Sequence, residues 1–343
     1  MAKANRAASN NESIEARYLR ILKAASIEEL EERIVSKLVQ GLSNQIEQRV
    51  LPLKLSKIAN QFLIEPRPLK ISGSHDGELE YNQGKNRFFI KLCSPTSATD
   101  QPLLNRQRFT YAHEMAHRFF FVEQENVWVR AIDLATATTL SPAERIRERR
   151  HLNHIEESLC NRIAHSVLIP DSILLERCNL DHWFGRKDAL YRTLSKASNE
   201  FGVSRECMVA RIGTAIRRKV IEPKDGKCLM VIAKSRGTIT QRGREALRVK
   251  VCFFPRKLND QALAVPFPGF ELHRFGPTAE QFFEQGFGSG DSSGEMDLSL
   301  SLSRHSNRET QVPTRLVGWW RSYGTTPSYR RLCVWGTLSL SNC

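Results

Sequence analysis

The sequence predicts an α+β protein of more than one domain, and three observations carry that prediction. Apolar residues recur at helical spacing through 12–50 and again through 109–120 and 153–170, while short segments near 70, 80 and 90 read as strands. The last third of the chain again reads as strands. At 343 residues the chain exceeds one typical domain and can bury a sizeable core in each of two. A hydrophobic content of 41% with 26% charged residues belongs to an ordinary globular protein.

Taken in order, residues 1–11 are polar and are expected to be disordered. From Asn11-Glu12-Ser13 to about Val50 the chain is rich in Glu, Arg and Lys, with Ile14, Leu19, Ile21, Leu22, Leu30, Ile34, Leu38 and Leu42 spaced as helix faces. These helices carry no chemistry of their own and are expected to pack on the rest of the chain or on a partner. Pro52 opens a new segment: a helix over Lys54–Phe62, then strands at Lys70–Ser72, Glu78–Tyr81 and Arg87–Leu92. The turn Asn82-Gln83-Gly84-Lys85-Asn86 joins the last two strands as a hairpin.

The next helix holds the stretch His113-Glu114-Met115-Ala116-His117. Residues four apart on a helix share a face, so His113 and His117 can chelate one ion. Two imidazoles suit zinc, and Glu114 is placed to take a proton from water held by the metal, the part of a general base. Three specified positions arise by accident in about one chain in a hundred. The surroundings sharpen the reading, because Phe109, Ala112, Ala116, Phe119 and Phe120 give the helix an apolar stripe, and the small alanines admit a neighbouring helix. A catalytic zinc needs a third ligand and one open position.

Asn153 to Pro170 is helix-patterned and offers adjacent glutamates. Glu157 shares a face with Asn161, Ala164 and Leu168 and is the favoured ligand, whereas Glu156 aligns with Cys160, Ile163 and Val167, a stripe that reads as core. Cys160 on that stripe reads as a buried structural thiol. The basic run from Arg145 to His154 adds His151 and His154, which could exchange as ligands but read better as a solvated helix face.

These two helices resemble the ImmA/IrrE family of metallopeptidases. Arg108-Phe109-Thr110-Tyr111-Ala112-His113-Glu114 matches the family form RFTxAHExxH, and Glu157, Asn161, Ala164, Leu168 and Pro170 match its second helix, ExxxNxxAxxLLxP. The link between them is longer than the family pattern leads one to expect, which implies an insertion. Ala197 to Ile212 resembles the family's closing FxVS element, and Phe201-Gly202-Val203-Ser204 gives a helix end, a turn and an N-cap, a helix–turn–helix signature expected to pack on the catalytic unit. The resemblance covers roughly 51–215. It implies a zincin-like unit, a small antiparallel or mixed sheet with active-site helices, in which Zn2+ is held by His113, His117 and Glu157 and Glu114 is the base. Tyr111 and His154 are the candidates for stabilising the oxyanion. In zincins the strand before the metal helix is an exposed edge to which the substrate backbone adds, here Arg87–Leu92.

The domains expected are a tail and helical segment at 1–50, the metallopeptidase unit at 51–222, and a strand-rich sensor or docking domain at 223–343, GAF-like as in some relatives. Strands are read at Cys228–Lys234, Leu247–Phe254, Leu316–Trp320 and Leu332–Leu340. Gly286 to Gln311 is rich in Gly, Ser and Asp and reads as a loop, although Met296, Leu298, Leu300 and Leu302 alternate as an edge strand would.

The resemblance implies cleavage of a regulatory protein, a transcriptional repressor. The alternative is a DNA-binding or stress-response regulator with a vestigial or structural metal site. A net charge of +14 makes nucleic acid a partner class to weigh, but the basic runs are short and dispersed and match no nucleic-acid signature. Eight scattered cysteines without metal-ligand spacing read as reduced packing residues. With no long apolar run and no apolar signal-peptide core, the expected location is the cytoplasm and no membrane is expected as partner.

Overall fold

The structure is a computed structural model that describes residues 12–71, 76–93, 101–137, 140–177, 189–218, 220–221, 227–239, 245–253, 281–285, 293–303, 311–323 and 331–340. Contacts divide the chain into two compact units, Met1–Pro170 with Glu200–Val203, and Asp171–Asn199 with Ser204–Cys343. The tail 1–11, expected to be disordered, lies outside the described residues.

The first unit opens with three helices, α1 (Ile14–Ile21), α2 (Ile27–Gly41) and α3 (Ser43–Glu47). Ser13 and Ser26 start the first two by accepting hydrogen bonds from the Ala16 and Glu29 amides. Their apolar faces bury Tyr18, Leu19, Leu22, Leu30, Ile34, Leu38 and Leu42. Lys54–Phe62 is not the α-helix expected. It forms two 3-10 turns, Leu55–Lys57 and Ala59–Phe62, after which Ile64 makes a bridge with Phe88.

Strands β1 (Leu69–Ile71), β2 (Gly77–Asn82) and β3 (Arg87–Cys93) form a mixed sheet in the order β1-β3-β2, with β3 parallel to β1 and antiparallel to β2. The expected hairpin is present: Asn82 accepts from the Lys85 amide and Asn86 takes a left-handed φ of 47°. The strand expected at an exposed edge, Arg87–Leu92, is instead the central one. Its alternate residues Phe88, Ile90 and Leu92 are buried and it hydrogen-bonds on both sides, leaving half-exposed β2 as an edge.

Helix α4 (Gln101–His117) is followed by a hairpin of β4 (Phe121–Gln124) and β5 (Val127–Arg130). Its loop is Glu125-Asn126, both with positive φ, the geometry of a two-residue primed turn. Then come α5 (Ala131–Thr136) and α6 (Pro142–Leu168), which starts at a capping box of Ser141 and Glu144 with Pro142 in the first turn. The long link between the two motif helices is therefore the hairpin, α5 and the exposed first half of α6, which contains the basic run.

In the second unit, α7 (Asp171–Arg177), α8 (Ala189–Phe201) and α9 (Arg205–Arg217) precede a five-stranded sheet. Its strands are β6 (Lys227–Ile239), β7 (Glu245–Phe253), β8 (Ser293–Ser303), β9 (Gln311–Tyr323) and β10 (Arg331–Leu340), antiparallel throughout in the order β7-β6-β10-β9-β8. Gly202 at φ +61° ends α8 and Ser204 caps α9 by accepting from the Cys207 amide, as the sequence predicts. Helix α9 lies on β6 and β7 and buries Met208 and Arg211 completely.

The stretch Gly286 to Gln311, read as a loop, contains the edge strand β8. Met296, Leu298 and Leu300 join Cys228, Met230, Ile232, Val249, Leu316 and Val334 in one core, so alternation outweighs Gly/Ser composition there. Residues 286–292 and 304–310 lie outside the described residues. No helix among the described residues is long and apolar enough to cross a membrane.

Candidate metal centre

Helices α4 and α6 pack antiparallel, and the small Ala112 and Ala116, both buried, let them approach. Steps of four along α4 meet steps of four along α6: His117 lies against Glu156 and Glu157, His113 against Glu157 and Asn161, and Phe109 against His165 at 5.0 Å between ring centroids. Arg118, the residue after His117, anchors this end of α4. Its guanidinium lies over the Trp128 and Phe88 rings at 3.7 and 4.5 Å and donates to the Phe62 carbonyl. At the other end Arg108 donates to the carbonyls of Gly202, Phe201 and Leu53, which gives the motif arginine a structural role.

His113, His117 and Glu157 come together. The two Nε2 atoms are 3.0 Å apart, and the Glu157 oxygens lie 3.1 Å from His113 Nε2 and 3.3 Å from His117 Nε2. Among the described residues this is the one group of three such side chains whose ligand atoms converge, all within 4.8 Å. Neither His151 nor His154 joins it: both are exposed on α6, and His151 faces Glu15 at 3.7 Å.

The far ring nitrogens fix the tautomers. His113 Nδ1 is 3.1 Å from Asn161 Oδ1, and His117 Nδ1 is 2.8 Å from Glu156 Oε1. Asn161 and Glu156 serve as acceptors here, so each Nδ1 carries the proton and each Nε2 presents a lone pair to the centre. Two lone pairs and a carboxylate within 3.3 Å of one another repel unless a positive charge lies between them. Zinc–nitrogen bonds of 2.0–2.1 Å in a tetrahedron put neighbouring ligand atoms about 3.3 Å apart, so the donor set fits that ion. The same demand for positive charge marks the titrating groups. Hydrogen bonds to His113 and His117 hold the Glu157 carboxyl well below the usual range. Burial works against a charged His117, yet Cys160, Glu156 and Glu157 outweigh it and raise its affinity for a proton. A proton and a metal cation are alternative occupants of such a centre.

Glu114 is 7% exposed on the same helix, and burial raises its carboxyl above the ordinary value, with Glu157 and Glu78 of β2 pushing the same way. Cys160 is fully buried beside His117, where burial drives its thiol up to about 12, and it is not among the side chains whose ligand atoms converge. Tyr111 is tied elsewhere: its hydroxyl donates to the Pro66 carbonyl at 3.4 Å, and burial pushes it up to about 12.

Sequence reasoning missed the side chains behind the centre. Glu156, weighed there as a rival ligand, is 1% exposed and orients His117 from behind. Arg130, carried by the β4–β5 hairpin, donates to Glu156 Oε1 at 2.9 Å, and Tyr18 of α1 donates to Oε2 at 3.1 Å. Burial and the Glu156 carboxylate raise the Tyr18 phenol far above its ordinary value, so it remains a donor. The signal available in the sequence was a glutamate on a core stripe, which demands buried partners.

Comparison with curated proteins gives no match. Residues 103–213, from within α4 into α9, match the family model Peptidase_M78, described as the IrrE N-terminal-like domain.

Proposed function

We propose that the protein is a cytoplasmic zinc-dependent endopeptidase that cleaves a regulatory protein, a transcriptional repressor. The observation that carries the reading is the convergence of His113, His117 and Glu157 with buried Glu114 on the same helix. His113, His117 and Glu157 would hold the ion. Zinc, when bound, polarises a scissile carbonyl and acidifies water to a pKa of about 7. Glu114 takes the proton from the attacking water and hands it to the leaving amine, and its burial suits a group that must hold that proton in between.

Glu78, which acts electrostatically on Glu114, lies on the edge strand β2, so β2 rather than β3 is the edge to which a substrate backbone would add. The mixed sheet beside α4 supports a zincin-like unit within 51–222. Residues 223–343 are assigned to sensing or docking. The five-stranded antiparallel sheet there supports a strand-rich domain, GAF-like in this reading, and its exposed face carries a broad, shallow groove lined by Glu295, Asp297, Val317, Trp319 and Thr337. The alternative, a DNA-binding regulator, draws little from α9, whose Met208 and Arg211 are buried on the sheet.

The test is metal analysis of the purified full chain joined to a cleavage assay on helix–turn–helix repressors. One zinc per chain, and cleavage that a chelator abolishes and added zinc restores, is the expected result. A protein without zinc that binds DNA would establish the regulator instead.

A further inference from the structure

The network behind His117 extends beyond the stretch that matches the peptidase family. Glu156 is almost fully buried, and its two oxygens divide their partners: Oε1 accepts from His117 Nδ1 and Arg130, Oε2 from the Tyr18 hydroxyl at 3.1 Å. Tyr18 is fully buried and belongs to α1, which precedes the matched residues 103–213. Helix α1 is held over this region by its packing on α5 and by the approach of Glu15 to His151 of α6. In so dry a place a carboxylate oxygen that loses its donor must turn to find another. Turning Glu156 changes its bond to His117 Nδ1, and with it the direction in which His117 Nε2 faces His113 and Glu157.

We propose that Tyr18 is a positioning residue of the metal centre: its hydroxyl, acting through Glu156, holds the tautomer and ring angle of His117, so that docking of α1 and binding of metal reinforce each other. By linkage, the factor by which docked α1 tightens the metal is the factor by which metal tightens the docking. The proposal rests on the reading of His113, His117 and Glu157 as a metal site, and it assigns to the N-terminal helices a part in metal retention.

The experiment uses the full chain and measures zinc affinity by chelator competition, with cobalt absorption as a second readout of ligand geometry. Tyr18→Phe keeps the ring and removes only the hydroxyl. The expected result is zinc binding weakened about 3- to 10-fold, less than the 10- to 100-fold typical of a direct partner of a ligand. The cobalt absorption bands should shift, and zinc should protect α1 from proteolysis less than it does in the wild type. Glu156→Gln should weaken zinc more, and Tyr18→Phe added to it should weaken zinc no further. This cycle isolates the coupling even where Tyr18→Phe lowers the melting temperature. Zinc affinity of Tyr18→Phe within twofold of wild type, or an equal loss with and without Glu156→Gln, overturns the proposal. A wild-type protein that binds no zinc, or His113→Ala that binds it as tightly as wild type, removes the metal centre and this inference together. A His113-dependent site indifferent to Tyr18→Phe removes this inference alone.

Discussion

The α4–α6 pair and the five-stranded sheet both bury apolar side chains, yet the ionisable groups are placed in opposite ways. Between the helices, His113, His117 and Glu157 meet at one point, with Glu156 behind His117, because steps of four along each helix bring successive side chains to the same line. In the sheet, period two sends Met230, Ile232, Leu298 and Leu316 to one face, while charged residues such as Asp297 of β8 and Arg315 of β9 pair on the exposed face. A pleated surface spreads its side chains over a plane, whereas two packed helices can focus theirs. Chemistry that needs three or four ligand atoms within a few ångströms therefore falls to the helix pair, and the sheet is left with a broad, shallow groove.

Five substitutions test this contrast, beginning with the largest expected effect. Glu157→Ala should strip zinc, because two histidines alone make a poor site, whereas Glu114→Gln should keep it and lower cleavage by about 10²–10⁴-fold; zinc content and turnover of a repressor substrate separate the two. Glu156→Ala should weaken zinc by about 10- to 100-fold without abolishing binding, since it orients a ligand and does not supply one. If Glu156→Ala proved worse than Glu157→Ala, the assignment of roles to the two neighbours would be reversed.

On the sheet side, Ile232→Ala empties a fully buried position and should cost about 2–4 kcal/mol in denaturant unfolding while zinc content stays at the wild-type level. Loss of zinc in that variant would break the contrast, since it would tie the sheet core to the ligand cluster. Val317→Ser is the smallest change: Val317 is 43% exposed, so stability should move by no more than about 0.5 kcal/mol and zinc not at all.

Legibility in the sequence followed the range of the interaction. The helix faces on which His113, His117 and Glu157 converge and the cap at Ser204 are local, and each could be reasoned from residues within about two helical turns. The part played by Glu156 could not, because its partners Arg130 and Tyr18 lie 26 and 138 residues away. Strand placement failed for a related reason: β3 looks the same from its own sequence whether it is central or at an edge, and only its pairing with β1 decides. At β8 the alternation of Met296, Leu298 and Leu300 was present in the sequence, but the serine and acidic residue between them masked it. The β4–β5 hairpin went unread because Glu125-Asn126 is not one of the strong turn dipeptides, although apolar runs flank it.

The separation of 138 residues between Tyr18 and Glu156 also sets a timetable for synthesis. At elongation rates of about 5–20 residues per second, α1 leaves the ribosome roughly 7–28 s before the residue its hydroxyl must reach. For most of that interval its buried face, Tyr18 and Leu19, has no α5 to pack on. The nascent chain therefore carries an exposed amphipathic segment for many seconds, and slowing translation between α1 and α5 would lengthen its exposure to proteases and chaperones.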